Sequence, residues 1–381
     1  MTEMEEYSMS LTRRDFARMG ALGIAAHWTP RAVADAIVGQ EPPRKVGYAI
    51  IGLGRIAGHF LEASRTCEQT KVTALVSGHR DKAERIAAEY GVPRENIYSY
   101  EDFDRIATNK AVDAVYVALP NSMHAEYTIR AAKAGKHVLC EKPMAISVAE
   151  CEQMIAACNK AHVKLMIAYR LHFEPTTLKA LEIVRSGKLG TLQTMQGANG
   201  FNIALGEWRY NKKLAGGGSI FDMGVYCINA HRMFAGEEPV GLKADFSTPQ
   251  KDDPRFKEVE ENSSWVMRFP SGILASAAST YGSQMPGYYL LYGTRGWLRM
   301  DGYNYDGQHL QAHYAGEEKG SKPVVVDILS AEKDPMQFVR QADHFSGCIL
   351  QDKTPQAPGE EGLADLRVVE AIYKAAGHPL A

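Results

Sequence analysis

A lysine followed by proline, Lys142-Pro143, stands just past a short apolar run, His137 to Cys140, and downstream of a glycine-rich turn, Gly52-Leu53-Gly54-Arg55-Ile56-Ala57. Alone, the turn signals only a nucleotide. Gly52 permits a tight bend, Gly54 lets the backbone approach a pyrophosphate, and Ala57 is the third small position, where helix and sheet pack closely. The helix behind the turn offers its N-terminus to phosphate. Open α/β sheets hold ligands at the carboxyl ends of their strands, and Lys142 occupies such an end, in the order that puts a lysine beside a nicotinamide. Turn and lysine together point to hydride transfer. A surface lysine in a loop is the plain alternative.

A second constellation is Gly216-Gly217-Gly218-Ser219-Ile220-Phe221-Asp222-Met223-Gly224-Val225-Tyr226. Ser219 reads as the cap of a helix on which Asp222 and Tyr226, four residues apart, share one face. A phenol needs help to act as a base near neutral pH, and an ammonium such as that of Lys142 favours its phenolate. Without that lysine the pair reads as two residues packing a helix against a sheet.

Cofactor choice is expected at the end of the second strand, where an acid would bind the ribose 2′-hydroxyl of NAD. The strand ends Val76-Ser77-Gly78-His79-Arg80, without a carboxylate. Ser77, Arg80 and Lys82 can instead hold a 2′-phosphate, which favours NADP. Alternatively, Arg80 and Lys82 form the solvated start of a helix.

The elements that must position these residues follow from periodicity. Strands are expected at Lys45 to Ile51, Val72 to Val76, Val112 to Leu119, Lys136 to Cys140 and Val163 to Ala168, alternating with helices behind the glycine turn, at Asp81 to Tyr90, from Pro120-Asn121-Ser122 to Ala134, and at Val148 to Ala161. The alternation predicts an α/β Rossmann domain with a doubly wound parallel sheet. After Tyr169 the pattern turns α+β, with helices at Pro175 to Ser186 and Ser219 to Phe234. Its strands are Gly190 to Gly197, Val240 to Phe246, Ser263 to Phe269, Gly272 to Thr280, Tyr288 to Gly293 and Gly296 to Met300. Hairpin spacing through Pro270-Ser271-Gly272 and Thr294-Arg295-Gly296 favours an open-faced, mostly antiparallel sheet with helices on one face. Asp334-Pro335 reads as cap and first position of a long helix, and a last helix is expected from Gly362 to Ala376. The domains are thus 46–168 and 169–381, and the C-terminal helices can pack back on the first.

At 381 residues the chain suits two domains, and its charged fraction of 23% with net charge -2 makes nucleic acid an unexpected partner. The six cysteines form no Cys-x-x-Cys pair and no zinc spacing, so neither a disulfide framework nor a metal site is implied. Thr12-Arg13-Arg14-Asp15-Phe16, the weakly apolar run Met19 to Trp28 and the small-residue site Ala34-Asp35-Ala36 read as a twin-arginine signal peptide over 1–36. That route exports folded proteins to the periplasm. The apolar run is too short to span a membrane. Residues 37–45, with Pro42-Pro43, are a stiff arm. A basic arm that stays attached is the alternative.

Taken as a set, these motifs resemble the Gfo/Idh/MocA oxidoreductases (glucose/fructose oxidoreductase, inositol dehydrogenase and rhizopine catabolism), and within them the periplasmic glucose-fructose oxidoreductase branch or a related aldose-aldose oxidoreductase. The likeness runs from Val46 to Pro379 and includes Ala118 to Glu126, Lys136 to Met144, Ala168-Tyr169-Arg170, the triple-glycine helix, Gly272 to Tyr281 and Pro358 to Gly362. It implies Lys142 as catalytic lysine, Tyr226 as acid/base and Asp222 as a ligand of the substrate hydroxyl. Cofactor contacts are implied for Gly52, Gly54, Arg55, Ile56, Ala57, Ser77, Gly78, Arg80, Lys82, Leu119, Pro120, Asn121, His124, Glu141, Lys142 and Arg170. Substrate contacts are implied for Lys142, Trp208, Arg209, Asp222, Tyr226 and Tyr305. Histidine is common in the family where Tyr226 stands, so the tyrosine points to this branch. The segment Gly200 to Gly206, the residues Tyr303-Asn304-Tyr305 and the chain's stop at Ala381 depart from the branch and leave acceptor and subunit number open.

The sequence therefore reads as an exported, homo-oligomeric oxidoreductase with tightly bound NADP, which oxidises an aldose at C1 to a lactone and reduces a second sugar, ketose or aldose, to an alditol in a ping-pong cycle. A conventional NADP-dependent dehydrogenase with exchangeable cofactor and a non-catalytic dinucleotide-binding sensor are the rival readings.

Overall fold

The computed structural model describes residues 44–301, 305, 307–318, 320–331 and 333–380. The expected signal peptide and most of the arm after it lie outside these residues, as do Tyr303 and Asn304. Lys45–Ala381 forms one compact unit built on two sheets.

The first sheet is parallel, in the order β3-β2-β1-β4-β5-β6. Its strands are β1 (Val46–Ile51), β2 (Thr70–Val76), β3 (Ile97–Tyr98), β4 (Ala114–Val117), β5 (His137–Cys140) and β6 (Leu165–Ile167). Every residue of β1 and β4 is buried, as a strand covered by helices on both faces requires. The covering helices are Arg55–Ser64, Arg80–Tyr90, His124–Lys133 and Val148–Lys160. The chain winds one way from β1 through β2 to β3, then crosses back to β4. That reversal opens a crevice at the carboxyl ends of β1 and β4, where this class of sheet receives its ligand.

The second sheet has eight strands, in the order β14-β13-β12-β11-β7-β10-β9-β8. They are β7 (Leu192–Gly200), β8 (Gly241–Ser247), β9 (Asn262–Arg268), β10 (Leu274–Thr280), β11 (Met285–Gly293), β12 (Gly296–Asp301), β13 (His309–Tyr314) and β14 (Val324–Leu329). Both expected hairpins form, β9 with β10 and β11 with β12. One pairing is parallel, β7 with β10, because β11 turns away from β10 to pair with β7. One face packs against helices, Pro175–Arg185 and Val225–Ala235 among them. The other carries a cross-strand row, Thr194-Tyr292-Trp297-His313-Val325, in which Tyr292, Trp297 and Val325 are exposed.

The two final helices, Met336–Leu350 and Gly359–Ala375, return to the first sheet. Asp343 accepts from the backbone N–H groups of Glu68 (2.7 Å) and Gln69 (2.9 Å). Ser346 Oγ lies 2.7 Å from Thr70 Oγ1 and 3.1 Å from Tyr48 OH. Ile167 donates to Ala357 O at 2.8 Å. One apolar cluster runs through both sheets and these helices.

Several local expectations change. Asp334 does not cap the helix that follows; its carboxylate lies 2.5 Å from His59 Nδ1, and the helix starts at Met336. The last helix begins at Gly359, a turn before the expected Gly362. Asn121 begins a short 3-10 turn ahead of helix His124–Lys133 and donates its amide to Ala215 O at 2.9 Å instead of capping. Ser219 is already helical, and its hydroxyl meets Ser279 Oγ at 2.9 Å.

Candidate active site

A cleft of about 750 Å³ opens at the crevice between β1 and β4 and continues under the second sheet's helices. Its floor is the chain's own strand ends: Gly52 after β1, Ser77 after β2, Leu119 and Pro120 after β4, Glu141 and Lys142 after β5. Gly52 has φ +84°, and a Cβ there would lie 2.5 Å from Ala118 O, so only glycine serves. Ala57 is fully buried beneath the turn.

The opposite wall comes from the triple-glycine segment. Gly216 has φ +86°. Cβ atoms on Gly217 and Gly218 would lie 2.1 Å from Tyr373 OH and 2.6 Å from Glu260 Cδ, so the backbone runs tight against the last helix and Glu260. Gly218 donates to Glu260 Oε2 (3.1 Å) and Ile220 to Oε1 (3.3 Å). Ile220–Gly224 then takes a π-helical turn before the α-helix Val225–Ala235. Such turns concentrate at functional sites, and this one carries Asp222.

Lys142 and Asp222 meet across the cleft. Lys142 Nζ donates to Asp222 Oδ1 (3.0 Å) and to its backbone carbonyl (2.8 Å), and lies 4.4 Å from the centre of the Tyr226 ring. Asp222 Oδ2 accepts from Tyr281 OH at 3.1 Å and pairs with Arg209 Nε at 3.2 Å. Burial opposes charge on both groups. On Lys142 it is outweighed by Tyr226 and then Asp222, which raise the pKa above the ordinary lysine value. On Asp222 it is outweighed by Lys142 and then Arg209, which hold the carboxyl at about 2. The result is a fixed ammonium beside a fixed carboxylate, both next to a phenol.

Arg170 completes the surroundings of Tyr226. It makes a side-chain hydrogen bond to the phenol, with its guanidinium 5.5 Å from that ring and 4.3 Å from the ring of Tyr305. Burial pushes the Tyr305 phenol up to about 12. Tyr305 stacks on His59, centroid to centroid 4.3 Å, and His59 on Phe338 at 5.2 Å. Beneath Lys142, Glu141 Oε1 accepts from Tyr116 OH at 2.5 Å, and Oε2 from the Lys142 backbone at 3.2 Å. His124 links the Leu119 and Pro143 carbonyls, both at 2.9 Å, tying the loop after β4 to the loop after β5.

Most residues singled out from the sequence line this one cleft: Gly52, Gly54, Arg55, Ile56, Ser77, Lys82, Leu119, Pro120, Asn121, His124, Glu141, Lys142, Arg170, Trp208, Arg209, Asp222, Tyr226 and Tyr305. Ala57, buried beneath the turn, Gly78 and Arg80 are not among its lining residues. Gly78 lies against the Tyr100 ring. Arg80 gives Nε to Glu84 (2.9 Å) and Nη1 to Ile97 O (3.0 Å), so the helix-start reading describes it better than a phosphate contact. Sequence reading missed His59, His79, Tyr100, Phe201, Glu207 and Met223. His79 had a signal, sitting between Ser77 and Lys82, as had Glu207 beside Trp208, Met223 beside Asp222 and Phe201 within Gly200 to Gly206; His59 and Tyr100 are brought in from afar.

A nicotinamide dinucleotide fits this set. A Cβ on Gly54 would find nothing within 4 Å, leaving open cleft above the turn. The helix behind it has Gly54 as N-cap and no acidic residue in its first turn, so its N–H groups face the space without a side-chain cap. Ser77, His79 and Lys82, a hydroxyl and two nitrogen bases, gather at the end of β2, donors that suit a 2′-phosphate.

Comparison with known proteins agrees with this architecture. Residues 46–169 match "Oxidoreductase family, NAD-binding Rossmann fold", and residues 177–299 match "GFO/IDH/MocA C-terminal domain". The chain is similar to an aldose-aldose oxidoreductase from Caulobacter crescentus, solved with glycerol, at 46% identity and TM-score 0.82, covering 88% of this chain and 98% of that one. It is 30% identical over 342 residues to D-xylose 1-dehydrogenase [NADP(+)] of Haloarcula marismortui, covering 87% of this chain and 91% of that protein. A levoglucosan dehydrogenase solved with NADH and levoglucosan, at 21% identity and TM-score 0.76 over 88% of this chain and 98% of that one, shares the fold. Two matched domains on one continuous unit, with the cleft between their strand ends and the triple-glycine helix, make this chain a member of the Gfo/Idh/MocA family of oxidoreductases.

Proposed function

We propose that the chain is an exported NADP-dependent sugar oxidoreductase that keeps its cofactor bound, oxidising the C1 hydroxyl of an aldose to a lactone and reducing a second sugar to an alditol in the same pocket. The observation that carries this reading is the convergence of Lys142, Asp222 and Tyr226 on a cleft floored by the glycine turn. The similarity to an aldose-aldose oxidoreductase supports a sugar as substrate. The Ser77, His79 and Lys82 group, with no acid at the end of β2, supports NADP over NAD.

Bound in the cleft, the dinucleotide supplies the acceptor and donor of hydride. The chain's own residues handle the proton and the hydroxyls. Tyr226 takes the proton from the C1 hydroxyl as the C1 hydride leaves, and returns a proton to the carbonyl oxygen of the second sugar as that carbon gains a hydride. Lys142, held charged by Asp222, favours the anionic oxygen in both directions. Asp222 and Arg209 orient the sugar hydroxyls, and Trp208 offers an apolar face beside them. One group thus serves as base and then acid. Export of the folded protein by the twin-arginine route would make cofactor retention useful, since the cofactor is loaded before transport. We further propose that copies of the chain associate through the outer face of the eight-stranded sheet.

Protein purified without added nucleotide is expected to release NADP(H) on denaturation, close to one per chain, and to reduce that cofactor when glucose alone is added, read by the near-ultraviolet absorbance of the reduced nicotinamide. With two sugars, steady-state rates should give parallel double-reciprocal lines. Release of NAD, or intersecting lines with strict dependence on added NADP, would instead support the conventional dehydrogenase, a reading favoured by the similarity to D-xylose 1-dehydrogenase [NADP(+)].

A further inference from the structure

The segment from Phe201 to Tyr210 passes from the end of β7 across the mouth of the cleft. It is anchored at its start, where Phe201 donates to Thr280 O at 3.1 Å and Ile203 to Tyr281 O at 2.9 Å. Phe201 at its start and Glu207, Trp208 and Arg209 at its far end line the cleft. Facing it is the glycine turn, whose next residue, Arg55, opens the phosphate-facing helix.

One carboxylate joins the two sides. Glu207 Oε1 lies 2.9 Å from Arg55 Nη2, and Oε2 lies 3.0 Å from Arg209 Nη1. Arg209 in turn holds Asp222, and Asp222 holds Lys142. Charges alternate along the whole series, Arg55-Glu207-Arg209-Asp222-Lys142, from the phosphate turn to the reacting centre. Each carboxylate sits between two cations, so loss of Glu207 leaves Arg55 and Arg209 without the group that joins them.

We propose that Glu207 is a clasp: its ion pair with Arg55 fastens the strap over the dinucleotide, so that the cofactor leaves only when the pair opens. Glu207 is a positioning residue and takes no part in hydride or proton transfer. The inference rests on the reading of the cleft as an NADP(H) site and adds the element that governs how slowly the cofactor escapes. The Arg55 side chain is 75% exposed and that of Glu207 24%. A pair in such a setting is modest in strength, and its opening should change the release rate by about fivefold and respond to salt.

The test is the release rate of NADPH from the intact protein, read by stopped-flow fluorescence after mixing with excess NADP. Glu207→Gln is expected to release NADPH about fivefold faster and with a weaker salt dependence than the unaltered protein. Removing a negative charge from beside the phosphates would by itself slow release, so faster release reports the clasp, and slower or unchanged release overturns it. In an Arg55→Gln background the Glu207→Gln change should have no further effect; an equal effect there would show that Glu207 acts through Arg209 alone and would also overturn the clasp. Protein that binds no NADP(H) at any concentration would overturn the cofactor reading itself, an outcome distinct from binding with unaltered release.

Discussion

A lysine pinned between a carboxylate and a phenol ring cannot wander, and at the residue scale that fixity is the main output of the fold. Lys142 reaches Asp222 from one domain and Tyr226 sits on the same helical segment of the other, so the phenol and the ammonium beside it are placed by one contact. Replacing Tyr226 by Phe or Lys142 by Ala is expected to lower turnover on the order of 10²-fold or more, as loss of an acid/base group does. The double variant should lose little beyond the worse single one. Fully additive losses, measured by single-turnover hydride transfer, would show that the residues act apart. These three residues were legible in the sequence because each is announced locally, Lys142 by a strand end and a proline, Asp222 and Tyr226 by a triple glycine and their spacing. Arg80 misled because its own partner, Glu84, stands one turn along the same helix and satisfies it first. His59 was invisible, since only the folded chain brings it to the cleft, whereas Glu207 stood unnoticed beside Trp208.

At the scale of elements, the alternation of strand and helix up to Ile167 was readable, apart from the two-residue edge strand β3, because parallel strands buried on both faces are written as unbroken apolar runs. The second sheet was read less completely. β13 and β14 went unrecognised, although Val324-Val325-Val326 is a β-branched run of the kind strands favour. The π-helical turn Ile220–Gly224 had no such sign. Just ahead of it, Gly218 is packed tightly. A Cβ there would lie 2.6 Å from Glu260 Cδ and 2.8 Å from its backbone oxygen, and Glu260 is held by Gly218, Ile220 and Tyr373. Gly218→Ala should therefore destabilise the protein by about 1–3 kcal/mol through overpacking and lower kcat by shifting Asp222. A melting temperature equal to that of the unaltered protein would mean that Glu260 can give way.

For the whole molecule, the outer face of the eight-stranded sheet is the feature that the packing within one compact unit does not explain. The row through Tyr292, Trp297 and Val325 leaves apolar side chains in water, with Val325 69% exposed. A face of this kind suits pairing with a second copy. Light scattering of the unaltered protein should give a multiple of the chain mass, and Trp297→Asp combined with Val325→Asp should give the single mass with the melting transition kept. An unaltered protein that is already monomeric, or a variant that stays assembled, would sink that reading.

The return of the last two helices also sets an order of events during synthesis. Helix Met336–Leu350 hydrogen-bonds the backbone ahead of β2, and the residues just before Gly359 pair with β6. On the ribosome, the dinucleotide-binding half is finished long before the residues that cover its flank exist. Until Met336 and its successors emerge, Tyr48 and Thr70 lack Ser346, and the backbone at Glu68 and Gln69 lacks Asp343. The first half is thus completed by residues made some two hundred positions later.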